Sequence, residues 1–455
     1  MNKTNGITEG VIWKQLLIFF FPILLGTFFQ QMYNTVDTVI VGRFVGKEAL
    51  AGVGTTGTLI NLLFGFFIGL ASGATVIISQ FYGARNEKNL SRAVHTALAL
   101  SLTGGLVLSV VGFLIARPAL KLLQVAEKAV LDNAVTYMRI FFAGILASVI
   151  YNVGTGILRG IGDSRFPLYV LIVSCVANIL LDLLFVVVFR MEVVGVALAT
   201  VLSQLISAVL VMLRLMRTRE AYQVRLREIR FHKGFLKKIV RIGLPSGLQS
   251  VLYSISNLVL QGAVNSFGTD ATAAYAAAGR IDGFIWMVLG AFGISITTFS
   301  GQNFGARKFD RVKRGNTVCL MMCASVILAL SAVLFFFARP LVRLFTEDGA
   351  VTDIAVTFLR IWAPAYICFA FIETLAGTVR GAGEALQPTL ITLLGVCVAR
   401  LIWIFVVLPF FPEIRTLALC YPVTWFITMT AFLIYYYRMR WLKRCTRGIP
   451  AEESI

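Results

Sequence analysis

Histidine is almost missing from this chain: His95 and His232 are the only two in 455 residues. Acidic side chains are scarce, 22 against 41 Lys and Arg, and charged residues of both signs make up only 14%. The seven cysteines (Cys175, Cys319, Cys323, Cys368, Cys397, Cys420 and Cys445) fall mostly inside apolar stretches. With so few histidines and cysteines placed this way, neither a metal-ligand cluster nor an extracellular disulfide framework is expected. Cys319 and Cys323, one helical turn apart, read as packing residues. No nucleotide-binding loop and no Ser-His-Asp set is visible, so nothing points to an enzyme. So little charge in so long a chain also excludes an ordinary soluble protein.

What fills the space is apolar. Fifty-eight per cent of the residues are hydrophobic and the mean hydropathy is +0.84. Apolar runs long enough to cross a hydrocarbon core of about 30 Å as helices recur along the chain. Twelve can be counted, at roughly 14–41, 50–80, 94–116, 132–156, 166–189, 194–216, 239–265, 272–300, 315–338, 354–377, 386–410 and 417–437. Their length argues against the short alternating strands of an outer-membrane barrel. The apolar run after Lys14 is followed by no small-residue cleavage pattern, so it is expected to belong to the fold and not to a signal peptide.

The net charge of +19 raises the question of nucleic acid. Placement of the basic residues answers it. With a cytoplasmic N-terminus, 28 of the 41 fall in tails and loops on that side, nine opposite, and four within spans. That asymmetry predicts a multi-pass protein of the cell (plasma or inner) membrane with both termini cytoplasmic. The densest cluster, "RTREAYQVRLREIRFHKGFLKKIVR", follows span 6 and is expected to meet anionic lipid, not nucleic acid.

The chain also repeats itself. "SQFYGARNEK" (79–88) matches "GQNFGARKFD" (301–310), and "FLIARPALKLL" matches "FFFARPLVRLF", both at an offset of 222. "YMRIFFAG" pairs with "FLRIWAPA", and "LRGIGDSRFP" with "VRGAGEALQP", at 221, while Pro22 and Asn34 correspond to Pro245 and Asn257 at 223. Six spans per half is an even number, so both halves enter from the same side and the repeat is parallel. The expected fold is an all-α polytopic membrane protein of twelve transmembrane helices in two six-helix lobes. Residues 1–216 form the N-lobe, 217–236 a charged cytoplasmic linker and 237–455 the C-lobe. Parallel halves of this kind suit a transporter working by alternating access, although duplicated bundles also occur in channels.

Few acids lie within spans: Asp37, Asp182, Asp282 and Glu373. Asp37 sits in "QQMYNTVDTVIVG", on one helix face with Gln30 and Asn34. Asp182 has Asn178 one turn before it, and span 6 offers Thr200. Two carboxylates, a carboxamide and a hydroxyl are hard oxygen donors suited to a small hard cation. They suit a proton equally, because a carboxyl group in a dry site resists ionisation. The alternative is that both aspartates merely fix helix packing. The repeat weighs against it. Asp37 maps to Val259 or Leu260, Asn178 to Ala399, Asp182 to Trp403 and Thr200 to Tyr421 or Pro422, so the second half keeps the scaffold and lacks all four donors. Gln30, Tyr33, Asn34, Asn152, Asn257, Asp282 and Glu373 are further candidates to face a substrate cavity. Arg139 and Arg360, repeat partners, read as structural anchors. Asp163 and Glu384 read as caps or tethers in short cytoplasmic turns.

With these residues in view the chain resembles the multidrug and toxic compound extrusion (MATE) family of cation-coupled efflux transporters. The resemblance rests on "FFPILLGTFFQQMYNTVDTVIVGRFVG", on "SQFYGAR" and "GQNFGAR", on "LRGIGD", and most specifically on "YNTVDT" and "NILLD". It implies an N-lobe cation site at Asp37, Asn178, Asp182 and Thr200, with Na⁺ or H⁺ as coupling ion and no cofactor. It implies antiport, with organic, often cationic drugs leaving the cell as the ion enters, by a monomer embedded in the bilayer. One departure matters. Some members carry an acid in span 7 and an aspartate in span 10, whereas here span 7 has none between Pro245 and Phe267 and span 10 offers only Glu373. Coupling is therefore expected in the N-lobe. The alternative within the superfamily, a lipid-linked oligosaccharide flippase, needs an arginine-rich cavity for pyrophosphate, and Arg139, Arg280, Arg360 and Arg400 are the only basic residues within spans away from the span ends.

Overall fold

The computed structural model describes residues 7–122, 127–438 and 440–446. Twelve long helices account for most of them: α1 (Ile12–Val45), α2 (Lys47–Gly83), α3 (Glu87–Leu122), α4 (Lys128–Gly160), α5 (Arg165–Val188), α6 (Glu192–Arg217), α7 (Lys233–Asn265), α8 (Thr269–Gly305), α9 (Phe309–Arg343), α10 (Gly349–Gly381), α11 (Leu386–Val407) and α12 (Ile414–Tyr437). A short α13 (Arg440–Thr446) follows, and no strand occurs among the described residues. Eleven of the twelve are long and apolar enough to cross a membrane. The exception is α7, whose apolar run is thinned by Gln249, Ser254, Asn257 and Gln261 and preceded by Lys233, Lys237, Lys238 and Arg241.

The repeat is written into the backbone. Left-handed residues recur at matched positions: Gly46 and Gly268 (φ 121° and 98°), Arg85 and Arg307 (53° and 57°), Gly162 and Gly383 (96° and 98°). Glycine supplies the two turn pairs that no Cβ tolerates well. Arg139 lies over the Phe113 ring at 5.3 Å, and its partner Arg360 over Phe335 at 5.9 Å, so each half anchors the N-terminal part of the helix with the same cation–π contact. Asp163 caps α5 by accepting the Phe166 N–H at 3.1 Å, as expected of a turn aspartate.

Packing divides the described residues into two compact units. One runs from Phe21 to Val251; the other takes the residues up to Phe20 together with those from Leu252 on. The division thus falls inside α1 and inside α7. Within the Phe21–Val251 unit, α2 and α7 meet at glycines. Gly69 and Gly73 on α2 face Gly243 and Gly247 on α7: a Cβ at Gly243 would sit 2.7 Å from the Leu70 carbonyl oxygen, and one at Gly247 2.7 Å from that of Phe66. Two small-xxx-small faces let the helices touch backbone to backbone, the usual way to gain contact where lipid supplies no hydrophobic drive. The linker is held to this unit as well. The Arg225 N–H donates to His95 Nε2 (3.1 Å) and the His232 N–H to Thr96 Oγ1 (3.3 Å), so both histidines strap it to α3.

The crossing makes a prediction. Gly73→Leu forces a side chain into the α7 backbone and should cost about 1–3 kcal/mol or more, as overpacking does. Thermal unfolding in detergent should show a clearly lowered midpoint, while Gly262→Ala on the same α7, where nothing lies within 4 Å of the added Cβ, should leave it unchanged.

Candidate cation site and cavity

Helix α1 presents Gln30, Tyr33, Asn34 and Asp37 at a spacing of three, four and three residues, which keeps them on one face. That face lines a cavity of about 390 Å³ within the first unit. Asn152 from α4 and Thr200 from α6 line it too. So do Tyr137, Tyr151 and Gln204, which inspection of the sequence passes over. No lysine or arginine lines it.

Behind this wall lie Asn178 and Asp182, both 0% exposed. Asp182 closes the α-helical part of α5, and the six residues after it, Leu183–Val188, form a π-helical turn. Such turns are frequent at functional sites. Here the matching stretch Trp403–Val407 of the other half is π-helical as well, so the turn belongs to the shared scaffold and the acid is what the first half adds.

Asp37 meets Asp182, Asn178 and Thr200 at side-chain range, so α1, α5 and α6 bring the four predicted oxygen donors together. None of these approaches is a well-formed hydrogen bond. One Asp37 oxygen, both Asp182 oxygens and both amide atoms of Asn178 are buried without a partner. The Thr200 hydroxyl donates to the Val196 carbonyl at 3.0 Å, which commits its proton to the helix. The result is a cluster dominated by acceptors. Acceptors buried together are costly unless a proton or cation is shared among them. Two carboxylates, a carboxamide oxygen and a hydroxyl fit a hard monovalent cation. No group of three or more His, Cys, Asp or Glu suited to a metal exists among the described residues.

Tyrosines surround this cluster. Tyr137 reaches Thr200, and Gln204 Nε2 donates to Tyr33 OH at 3.5 Å. Asn152 Nδ2 donates to the Ser148 carbonyl at 2.8 Å, which fixes the amide at the cavity edge. The signal that would have found Tyr137, Tyr151 and Gln204 is the same subtraction that singles out Asp37. At an offset of 221 they correspond to Phe358, Ile372 and Trp425.

The remaining three candidates do not line this cavity; they belong to the other unit, and each is engaged. Asn257 accepts from Arg400 Nη1 at 2.8 Å. Asp282 accepts from Trp286 Nε1 at 2.8 Å and from Tyr366 OH. Glu373 pairs with Arg380 at 2.9 Å.

Comparison with known proteins agrees with this architecture. The MatE family model matches residues 22–184 and again 245–406, two stretches offset by the length of the repeat. A Bacillus subtilis (strain 168) protein named "Probable multidrug resistance protein YoeA" is 31% identical over 451 residues, covering 97% of this chain and 96% of its own. A Shewanella oneidensis protein named "FAD transporter" is 26% identical, covering 80% of this chain and 81% of its own. The fold matches the crystal structure of MATE in complex with MaL6 at a TM-score of 0.90, with 24% identity over 98% of this chain and all of that one. Two copies of one family match along a polytopic helical chain, and a relative alike from end to end, leave one assignment: the chain belongs to the MATE (MatE) family of membrane transporters.

Proposed function

We propose that this protein is a multidrug efflux antiporter of the cell membrane, acting as a monomer with both termini in the cytoplasm. It exports organic, often cationic compounds in exchange for Na⁺ or H⁺ taken up at Asp37, Asn178, Asp182 and Thr200. The observation that carries the reading is the set of buried, unpartnered acid and amide oxygens directly behind a polar, tyrosine-lined cavity. The names of relatives such as the B. subtilis protein support the export of drugs.

Asp37 is the hinge of the chemistry because it belongs to both places. It lines the cavity, yet one of its oxygens is buried without a hydrogen-bond partner. An organic cation in the cavity is attracted by the Asp37 charge and by the faces of Tyr33, Tyr137 and Tyr151. A sodium ion or proton arriving at the four donors cancels the same charge from behind. Cargo and ion therefore compete for one negative charge, and each lowers the affinity for the other by the same factor. Differential affinity is what lets a ligand shift a conformational equilibrium, so the exchange of one positive charge for another is the coupling. A flippase would need cations to hold a pyrophosphate, and this cavity has none.

Asp37→Asn keeps the shape of the site and removes the charge. In proteoliposomes it should abolish ethidium export under an imposed gradient, with the protein still monodisperse; export at the wild-type rate would overturn the coupling role. Imposing the Na⁺ gradient and the pH gradient one at a time on the wild type should drive export with one ion and not the other. Asn178→Leu tests the site from the opposite direction. It replaces a carboxamide with two unpartnered atoms by an apolar group of similar size, so detergent thermal stability should hold or rise by about 1 kcal/mol while gradient-driven export is lost. A large loss of stability would mean that Asn178 is a packing residue.

A further inference from the structure

A second cavity, of about 460 Å³, opens in the other unit where α8 gives way to α9. Arg307, Lys308, Arg311 and Arg314 line it, with Asp310 as the one acid of the lining. That acid pairs with Lys313 at 3.6 Å. Two of the bases hold the start of the chain. Lys308 Nζ donates to the Thr8 carbonyl at 3.0 Å, and Arg311 Nη1 and Nη2 donate to those of Gly10 and Glu9 at 2.9 and 2.8 Å. Carbonyl groups orient a cation but neutralise none of its charge. Even with Glu9, whose charge acts on Arg311, four bases face two acids. Arg311 Nε is buried with no hydrogen-bond partner, and Arg314 is exposed and forms no ion pair among the described residues.

Subtracting the repeat shows what is added here. At the offset of 222 Arg307 and Arg314 correspond to Arg85 and Arg92, whereas Lys308 and Arg311 stand where the first half has Asn86 and Asn89. Asn86 caps α3 by accepting the Asn89 N–H at 3.1 Å. Lys308 makes no such bond, and α9 starts without a side-chain cap. Losing an asparagine cap weakens a helix, so the second half gives up local stability to gather four bases around one cavity. The cavity also has an apolar side. Ile12 and Phe309 line it, and Val11 and Trp13, on either side of Ile12, are exposed, with Lys14 over the Trp13 ring at 5.5 Å. An exposed tryptophan beside a lysine at the end of a membrane helix marks the headgroup level of a bilayer.

We propose that this cavity holds the phosphate of an anionic phospholipid, between Arg307, Lys308, Arg311 and Arg314, with the lipid chains against the apolar first turn of α1. Arginine suits the task because its planar fork meets two phosphate oxygens with parallel hydrogen bonds. A free phosphate would meet the same bases, but only a lipid also uses the apolar side. With both termini cytoplasmic, as in the efflux reading, the lipid belongs to the inner leaflet, where anionic headgroups attract such clusters. The site lies apart from Asp37 and its cavity and goes beyond that reading.

The test is equilibrium binding of chain-labelled phosphatidylglycerol and phosphatidylcholine to the purified full-length protein in non-ionic detergent, read by fluorescence anisotropy. The wild type should bind phosphatidylglycerol about tenfold more tightly, equivalent to about 1.4 kcal/mol. Arg314→Gln should cut that preference to about twofold, as the loss of one charge-assisted pair would, and leave phosphatidylcholine unchanged. Arg227→Gln, which removes an exposed charge from the linker, should alter neither. Should Arg314→Gln fail to yield monodisperse protein, Lys308→Asn carries the test, because it installs the residue that caps α3 and should still lower the preference. No preference in the wild type, or equal losses in Arg314→Gln and Arg227→Gln, overturns the site. Displacement of phosphatidylglycerol by millimolar inorganic phosphate overturns the lipid in favour of a free anion. Export is not read by this experiment, so the efflux reading stands or falls separately.

Discussion

Two carboxylates brought together with no basic partner set the character of the first unit. Asp37 and Asp182 form no ion pair among the described residues. Like charges about 4 Å apart near a protein surface repel by about 4 kcal/mol, and more where water is excluded. Helix packing nevertheless holds them together. The face of α1, the break in regular helix after Asp182 and the commitment of the Thr200 proton to Val196 all converge on that spot. A cluster assembled against its own electrostatics leaves negative charge that its own chain does not neutralise.

Polar groups in the second unit follow a different rule. Glu373 has Arg380, Asp282 has Tyr366 and Trp286, and Asn257 has Arg400. Each is tied to a neighbour by a hydrogen bond or an ion pair. The two halves share turns, prolines and cation–π anchors down to single positions, so their difference in polar pairing is a difference in what the halves do.

Much of this was legible before any coordinates. Asp37 and Asp182 stand out because an acid in an apolar run has no cheap explanation, and the internal repeat removes whatever the scaffold needs, leaving Asn178 and Thr200 beside them. Tyr137, Tyr151 and Gln204 were not seen. Aromatic residues are common in membrane helices, and only their lining of a cavity separates them from packing. The fates of Asn257, Asp282 and Glu373 could not be read either, because each depends on a partner 7 to 143 residues away along the chain. The crossing of α2 and α7 escaped notice for another reason. Glycines four apart are frequent in such helices, and which pair faces which is a fact of tertiary packing.

The contrast between unpaired acids and paired ones also explains why the first unit does not simply recruit an arginine. A permanent Asp–Arg pair would remove the unfavourable charge and, within a membrane, would hold for the life of the protein. It would also end exchange, since a tethered guanidinium cannot leave. Sodium ions and protons are the positive charges that can come and go while the helices stay folded, and an organic cation in the adjoining cavity is a third. A site that must be filled from solution has to be unsatisfied by its own chain. On the proposed reading, the orphaned oxygens of Asp37 and Asp182 are the form that a binding site for exchangeable charge takes.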